Sequence, residues 1–222
     1  MINSSLPRVI FVSGTGTGVG KTLVSAILSQ ALQADYWKPI QAGFENGTDS
    51  EWIKDTVSNH QSAIHTELYK LRMAASPHIA AKAENIEIDI SRIVKALPKT
   101  SNTLIIEGAG GLMVPLNDNE FVIDLVRALK APVILVSRNE LGSINHSLQA
   151  AITCRVHNIE VLGWIFNDEY LDYGKEIAKW TNLPLLGSVP AGESPGKDFV
   201  TIQAANLRKK LMNTLNAEKK PS

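Results

Sequence analysis

The amino-acid sequence predicts an α/β fold: a doubly wound, mostly parallel sheet with helices on both faces. Three observations carry this. Short β-branched runs alternate with helical patterns nearly from end to end. The strand runs are continuously apolar, as they must be in a sheet covered on both sides. The first run also breaks into a glycine-rich loop that opens a helix. With 222 residues, 44% of them apolar, the chain suits one domain, residues 1–222, with a continuous core. It shows no internal repeat, low-complexity segment or linker.

The elements follow in order. RVIFVS (8–13) reads as a buried strand, followed by the loop and a helix over 21–32. YWKPI (36–40) reads as a second strand. Thr48 stands three residues ahead of Glu51, the capping-box spacing, and opens a helix to about Ser58. Pro77 begins a helix through Ala83. Asp89 or Ser91 starts another that ends near Pro98. Strand NTLIIE (102–107) precedes helix 121–130, strand PVILVS (132–137) and helix 143–157. Strand VLGWIF (161–166), helix 174–180, strand PLLGSV (184–189) and helix 199–215 complete the pattern, and the tail 217–222 reads as frayed. Ligands of such a sheet are expected beyond the carboxyl ends of its strands.

Composition narrows the partners. Lys and Arg total 22 and balance 22 Asp and Glu, so no basic field favours nucleic acid or a membrane surface. No stretch reaches the ~20 apolar residues of a membrane span. The N-terminus lacks the charged and apolar regions of a secretory signal, so the expected location is cytoplasmic. The one cysteine, Cys154, sits in an apolar helical stretch and reads as a buried small hydrophobe. His78 and His146 have no partner at zinc-ligand spacing, and no serine has a triad around it.

The loop GTGTGVGKT (14–22) carries the strongest chemical signal. Glycines let the backbone wrap closely with its N–H groups turned toward phosphate oxygens, and the following helix N-terminus favours negative charge. Lys21 would reach the β- and γ-phosphates of a nucleoside triphosphate, and the Thr22 hydroxyl would meet Mg²⁺. Five residues, not the strict four, separate Gly14 from Gly20, which marks a variant P-loop NTPase-like group.

Two carboxylates stand where such a sheet would deliver them. Glu107 ends the strand TLII, and Asp49 follows the second strand. Each reads either as a Mg²⁺ ligand or as an ordinary element-ending charge. Lys38, within the otherwise apolar YWKPI, reads equally as an edge-strand side chain facing water or as a second cation for a transferring phosphoryl group. EGAGG (107–111) offers either an anion-holding backbone or a tight turn. Ser143 and Asn145, at a helix start, read as caps or as carboxylate binders.

Together these segments closely resemble the dethiobiotin synthetases. The matching segments are GTGTGVGKT (14–22), YWKPIQAG (36–43), TDS (48–50), SPHIAA (76–81), EGAGGLMVPL (107–116), PVILV (132–136), LGSINH (141–146), GWIFND (163–168) and PLLGSVP (184–190). They keep the family's order and span almost the whole chain. The resemblance implies an ATP-dependent cyclo-ligase of biotin biosynthesis. CO₂ carboxylates one amine of 7,8-diaminononanoate, ATP phosphorylates the carbamate, and the neighbouring amine closes a cyclic urea.

It further implies site residues. Thr22, Asp49 and Glu107 resemble Mg²⁺ ligands; Lys21, Lys38 and Thr17 resemble the catalytic group around the γ-phosphate and carbamate. Gly18, Val19, Gly20, Lys21, Thr22 and Leu23, with Asn167 at adenine and Pro190 and Glu193 beyond it, resemble the ATP site. Lys38, Ala42, Gly110 and Gly111 resemble substrate-binding positions, joined by Ser143 and Asn145 from the second subunit of a homodimer. The chain departs from many relatives at Gly16 and Gly18, where they carry acidic residues, and at Ala42, where some carry serine.

Two other classes stay in view. A small-molecule kinase would show no CO₂ dependence. A nucleotide-switched partitioning or targeting ATPase typically adds a lysine early in the loop, and positions 14–20 contain none. The chain also lacks the Asn-Lys-x-Asp tetrapeptide of a guanine reader.

Overall fold

The structure is a computed structural model and describes residues 6–168, 170–192 and 194–217. Seven strands form one parallel sheet: β1 (Val9–Gly14), β2 (Asp35–Trp37), β4 (Ile64–His65), β6 (Leu104–Gly111), β7 (Val133–Arg138), β8 (Val161–Asn167) and β9 (Leu185–Val189). Their spatial order is β4-β2-β6-β1-β7-β8-β9. Two more, β3 (Ile40–Ala42) and β5 (Tyr69–Leu71), pair with each other in parallel outside it.

Strand side chains alternate between two apolar layers. Ile10, Val12, Tyr36, Ile105 and Ile134 face α1 (Lys21–Leu32) and α8 (Lys197–Ala217). Phe11, Trp37, Ile106, Leu135 and Trp164 face the other layer. There the cover comes from α3 (Pro77–Ala83), α4 (Ile90–Lys95), α5 (Val122–Leu129), α6 (Ser143–Val156) and α7 (Gly174–Thr181). Cys154 is buried in this layer, where burial pushes its thiol up to about 12 and makes it inert.

The predicted strand 36–40 needs correction. Main-sheet pairing stops at Trp37, and Ile40 begins the separate pair with Tyr69. Pro39 is the cause: it has no N–H to donate to a ladder. Its carbonyl instead accepts from the N–H groups of both Leu68 and Tyr69. The chain therefore steps between sheets at Lys38. The strand after Asn102 runs further than expected, through the glycines to Gly111. The short strands β4 and β5 were absent from the expected elements. The predicted tail lies outside the described residues beyond Ala217.

The loop after β3 ends in α2 (Asp49–Thr56), whose start is built by the expected box. Glu51 donates its N–H to Thr48 Oγ1 at 3.1 Å, and Glu51 Oε2 accepts from the Thr48 N–H at 2.8 Å. This cap fixes the residue after it, Asp49. Thr48→Ala is expected to cost about 1 kcal/mol of stability. It should appear as a lower urea midpoint with an unchanged slope.

Candidate active site

The carboxyl ends of β1 and β6, together with the Lys38 step, frame a cavity of about 700 Å³. One pole is the phosphate loop. Gly20 caps α1 with φ of 95°, and a Cβ there would lie 2.3 Å from Asn167 Nδ2, so only glycine fits. No side chain caps α1, which leaves its first N–H groups open to an anion. Lys21 Nζ folds back to donate to the Gly16 carbonyl at 2.8 Å. Thr17, Gly18, Gly20, Lys21 and Thr22 line the cavity.

A buried ionic group closes this pole. Lys38, 7% exposed, donates to Glu107 Oε1 at 3.0 Å and to Asp49 Oδ2. Thr22 Oγ1 donates to the same Glu107 Oε1 at 2.9 Å. The Tyr36 hydroxyl donates to Glu107 Oε2 at 2.8 Å. Lys38 thus does not face water; the edge-strand alternative fails because β2 lies between β4 and β6 and Lys38 is buried against Glu107 and Asp49. Burial alone would drive off its proton, but the Glu107 and Asp49 charges prevail and hold Lys38 above the ordinary lysine value. Burial, and then the Glu107 charge, push the Tyr36 hydroxyl well above the usual tyrosine value, so it remains a donor.

Lys21 is placed differently. Burial outweighs attraction to Glu107 and, helped by repulsion from Lys38, brings its pKa down to about 8. Its direct partner is a neutral carbonyl, so its charge is left for an incoming anion.

The rest of the lining is mostly apolar: Ile40, Ala42, Ala74, Ala75, Pro77, Ala109 and Val114, with the polar Gln41 and Ser76 among them. Gly110 also lines the cavity with φ of 73°, and a Cβ there would press Val114 at 2.7 Å.

Most predicted positions meet here: Thr17, Gly18, Gly20, Lys21, Thr22, Lys38, Ala42, Asp49, Glu107 and Gly110 all line the cavity. Others do not. Gly111 pairs with Gly14 behind the loop. Val19 is buried beneath the loop, where its carbonyl accepts from Asn167 Nδ2 at 3.3 Å, and Leu23 packs partly buried on the α1 side. Pro190 follows β9, and Glu193 lies outside the described residues. Ser143 and Asn145 begin α6 away from the cavity: Ser143 is buried and Asn145 exposed. At Gly16 an added Cβ would meet nothing within 4 Å, whereas Gly18, equally open, has a φ of 75° that favours glycine.

Sequence reading missed Tyr36 and the apolar lining. Tyr36 looked like one more strand residue, and only its register opposite Ile105 brings it to Glu107. Ala74 and Ala75 precede a quoted family segment but carry no chemical signal of their own.

A family model described as an AAA domain matches residues 8–196. An ATP-dependent dethiobiotin synthetase BioD from Cytophaga hutchinsonii is 48% identical over 199 residues, covering 89% of this chain and 95% of that protein. A protein of the same name from Christiangramia forsetii is 42% identical over 209 residues, covering 93% and 99%. This chain belongs to the dethiobiotin synthetase family. The biotin biosynthesis bifunctional protein BioCD of Bordetella avium is 40% identical over 213 residues, which cover 95% of this chain and 44% of that protein, so the synthetase-like chain matches part of a longer one. Among solved structures, MinD of Pyrococcus horikoshii complexed with Mg-ADP superimposes with TM-score 0.58 at 15% identity, covering 96% of each chain. That likeness concerns the fold, which this synthetase family member shares with P-loop NTPase-like proteins.

An anion on the loop would favour charged Lys21. Binding of ADP should therefore be strongest below pH 8 and weaken by up to about tenfold per pH unit above it. Calorimetry at pH 9, in buffers of different ionisation heat, should find roughly one proton taken up per nucleotide. No uptake there would contradict the lowered Lys21 pKa.

Proposed function

We propose that this protein is a dethiobiotin synthetase that joins CO₂ to 7,8-diaminononanoate and closes the cyclic urea with ATP, releasing ADP and phosphate. One observation supports the reading beyond family membership: a single cavity is lined both by the glycine loop with Lys21 and Lys38 and by a largely apolar group around Ile40, Ala42, Ala74 and Val114. ATP phosphates belong on the loop, the hydrocarbon chain among Ile40, Ala42, Ala74 and Val114. The two amines then fall near Lys38.

One amine adds to CO₂ and loses a proton, giving a carbamate. A carbamate oxygen attacks the γ-phosphorus, breaking its bond to ADP and forming a carbamic–phosphoric anhydride. The second amine attacks the carbamoyl carbon and loses a proton, and phosphate leaves with the C–O bond electrons as the ring closes. No protein nucleophile is needed, so the residues work by position and charge. Lys21 and Lys38 flank the transferring group, Thr17 lies beside them in the loop, and the open amides of α1 hold phosphate oxygens.

Thr22, Asp49 and Glu107 would hold Mg²⁺. Their fit is tested by the present arrangement: a cation, the Lys38 ammonium, lies against Glu107 Oε1 and Asp49 Oδ2, and Thr22 Oγ1 reaches the same Glu107 oxygen. Hard oxygen donors from one hydroxyl and two carboxylates suit Mg²⁺, which takes its remaining ligands from water and phosphate. When bound, it neutralises charge on the β- and γ-phosphates.

A homodimer completes the reading. The start of α6 has no side-chain cap, and Leu141 beside it is 87% exposed. Ile152 and Val156 extend this apolar exposure along α6. From a partner subunit, that helix start, with Ser143 and Asn145, would bind the tail carboxylate. Asn167, Pro190 and Glu193 would border adenosine. A cytoplasmic location accords with these substrates, and among the described residues no helix is long and apolar enough to cross a membrane.

Incubation with ATP, Mg²⁺, bicarbonate and 7,8-diaminononanoate should yield dethiobiotin, detected by mass spectrometry. ADP formation without the cyclic urea, or unaffected by removing bicarbonate, would sink the assignment. Lys38→Ala should slow turnover by about 10²–10³-fold while ATP binding is largely kept. Weaker ATP binding with turnover intact at saturating ATP would refute its role.

A further inference from the structure

We infer that Tyr36 is a positioning residue that locks Glu107, so that this carboxylate presents one chosen oxygen to the metal–nucleotide pole of the cavity. The inference deepens the proposed function and rests on its metal-binding reading of Glu107.

The sheet register builds the contact. Tyr36 on β2 lies directly opposite Ile105 on β6, and both belong to the same apolar layer. Side chains two apart on a strand share a face, so Glu107 projects from that face one repeat further on. Two residues of strand span roughly 6.6 Å, which a tyrosine side chain leaning along the strand can cover. Its hydroxyl meets Glu107 Oε2 at 2.8 Å. Tyr36 is 0% exposed, so its ring is held by packing.

A carboxylate at the end of a glutamate chain turns easily, because its last torsion is broad and two-fold. At Glu107 the two oxygens are assigned different tasks. Oε2 is taken by Tyr36, while Oε1 accepts from Lys38 and Thr22. Asp49 has no comparable lock: its side chain is 31% exposed and its contact within the ionic group is to Lys38. Glu107 is thus the fixed acidic partner and Asp49 the adjustable one. Hydrogen-bond partners behind a metal ligand typically carry 10–100-fold of metal affinity.

The test uses Mn²⁺ binding in the presence of ADP, followed by electron paramagnetic resonance of free Mn²⁺. Neither diamine nor bicarbonate is present, so a failure to make dethiobiotin leaves this measurement intact. Tyr36→Phe keeps the ring and is expected to weaken Mn²⁺ binding by about tenfold. In a Glu107→Gln background the same change should cost less than about twofold, because Tyr36 acts through Glu107. Ile105→Val, a packing change in the same layer, should lower the melting temperature and leave Mn²⁺ affinity unchanged. The inference falls if Tyr36→Phe binds Mn²⁺ as the wild type does. It falls equally if the loss is the same with Gln at position 107, or if Ile105→Val weakens Mn²⁺ binding as much.

Discussion

A buried ammonium between two carboxylates organises this protein's working end. Lys38, Asp49 and Glu107 come from three separate stretches of chain: the step after β2, the first residue of α2 and the middle of β6. Each would be costly to bury alone. Together they compensate one another, and removing one partner from such a group typically costs about 3–5 kcal/mol. The requirement reaches into the backbone. Lys38 reaches Glu107 because Pro39 ends the pairing of β2, and Asp49 arrives because the Thr48–Glu51 box starts α2 where it does.

Sheet order supplies the remaining constraint. β6 is later in sequence than β2, yet it lies between β2 and β1. That insertion places Glu107 beside Tyr36 and Lys38 on one side and the phosphate loop on the other. Val12, just before the loop, pairs with Glu107 itself, and Gly14 pairs with Gly111. One carboxylate therefore touches Thr22 from the loop helix and Lys38 from the step after β2. Had β6 been added outside β2, the loop and Lys38 would lack this shared partner.

The legible parts of the sequence were those whose physics is local. The loop, α1 and the α2 cap follow from glycine freedom, helix-start chemistry and side chains three residues apart, and the structure keeps α1 at Lys21–Leu32. Long apolar strands were equally legible because burial on both faces leaves a continuous signature. What escaped was non-local or short. β4 and β5 have two and three residues, too few to show a period. The split at Pro39 needed knowledge of which carbonyl would take the freed donors. Lys38 was evenly balanced because the choice between water and a carboxylate pair depends on an element about seventy positions away in the chain. Family resemblance tilted that balance; spacing alone did not. Tyr36 had no signal, since its role exists only through the register with β6.

The two lysines of the site, though neighbours, hold their charge on opposite terms. Lys38 is already neutralised by Glu107 and Asp49, and its proton is secured by them. Lys21 has only the Gly16 carbonyl as its direct partner, and burial loosens its proton. An arriving polyphosphate therefore gains most from Lys21, whose charge it completes. The divalent cation of the proposed function would instead share or take over the carboxylates that the Lys38 ammonium holds. On the proposed reading, the anion and the cation of a metal–nucleotide complex would take separate places within one cavity. Glu107 joins those places, since Thr22 on the loop helix and Lys38 both lean on its Oε1. The apolar lining begins just beyond Lys38, at Ile40 and Ala42. On the proposed reading, a hydrocarbon chain seated there would bring its reactive end to the place where these charges are rearranged.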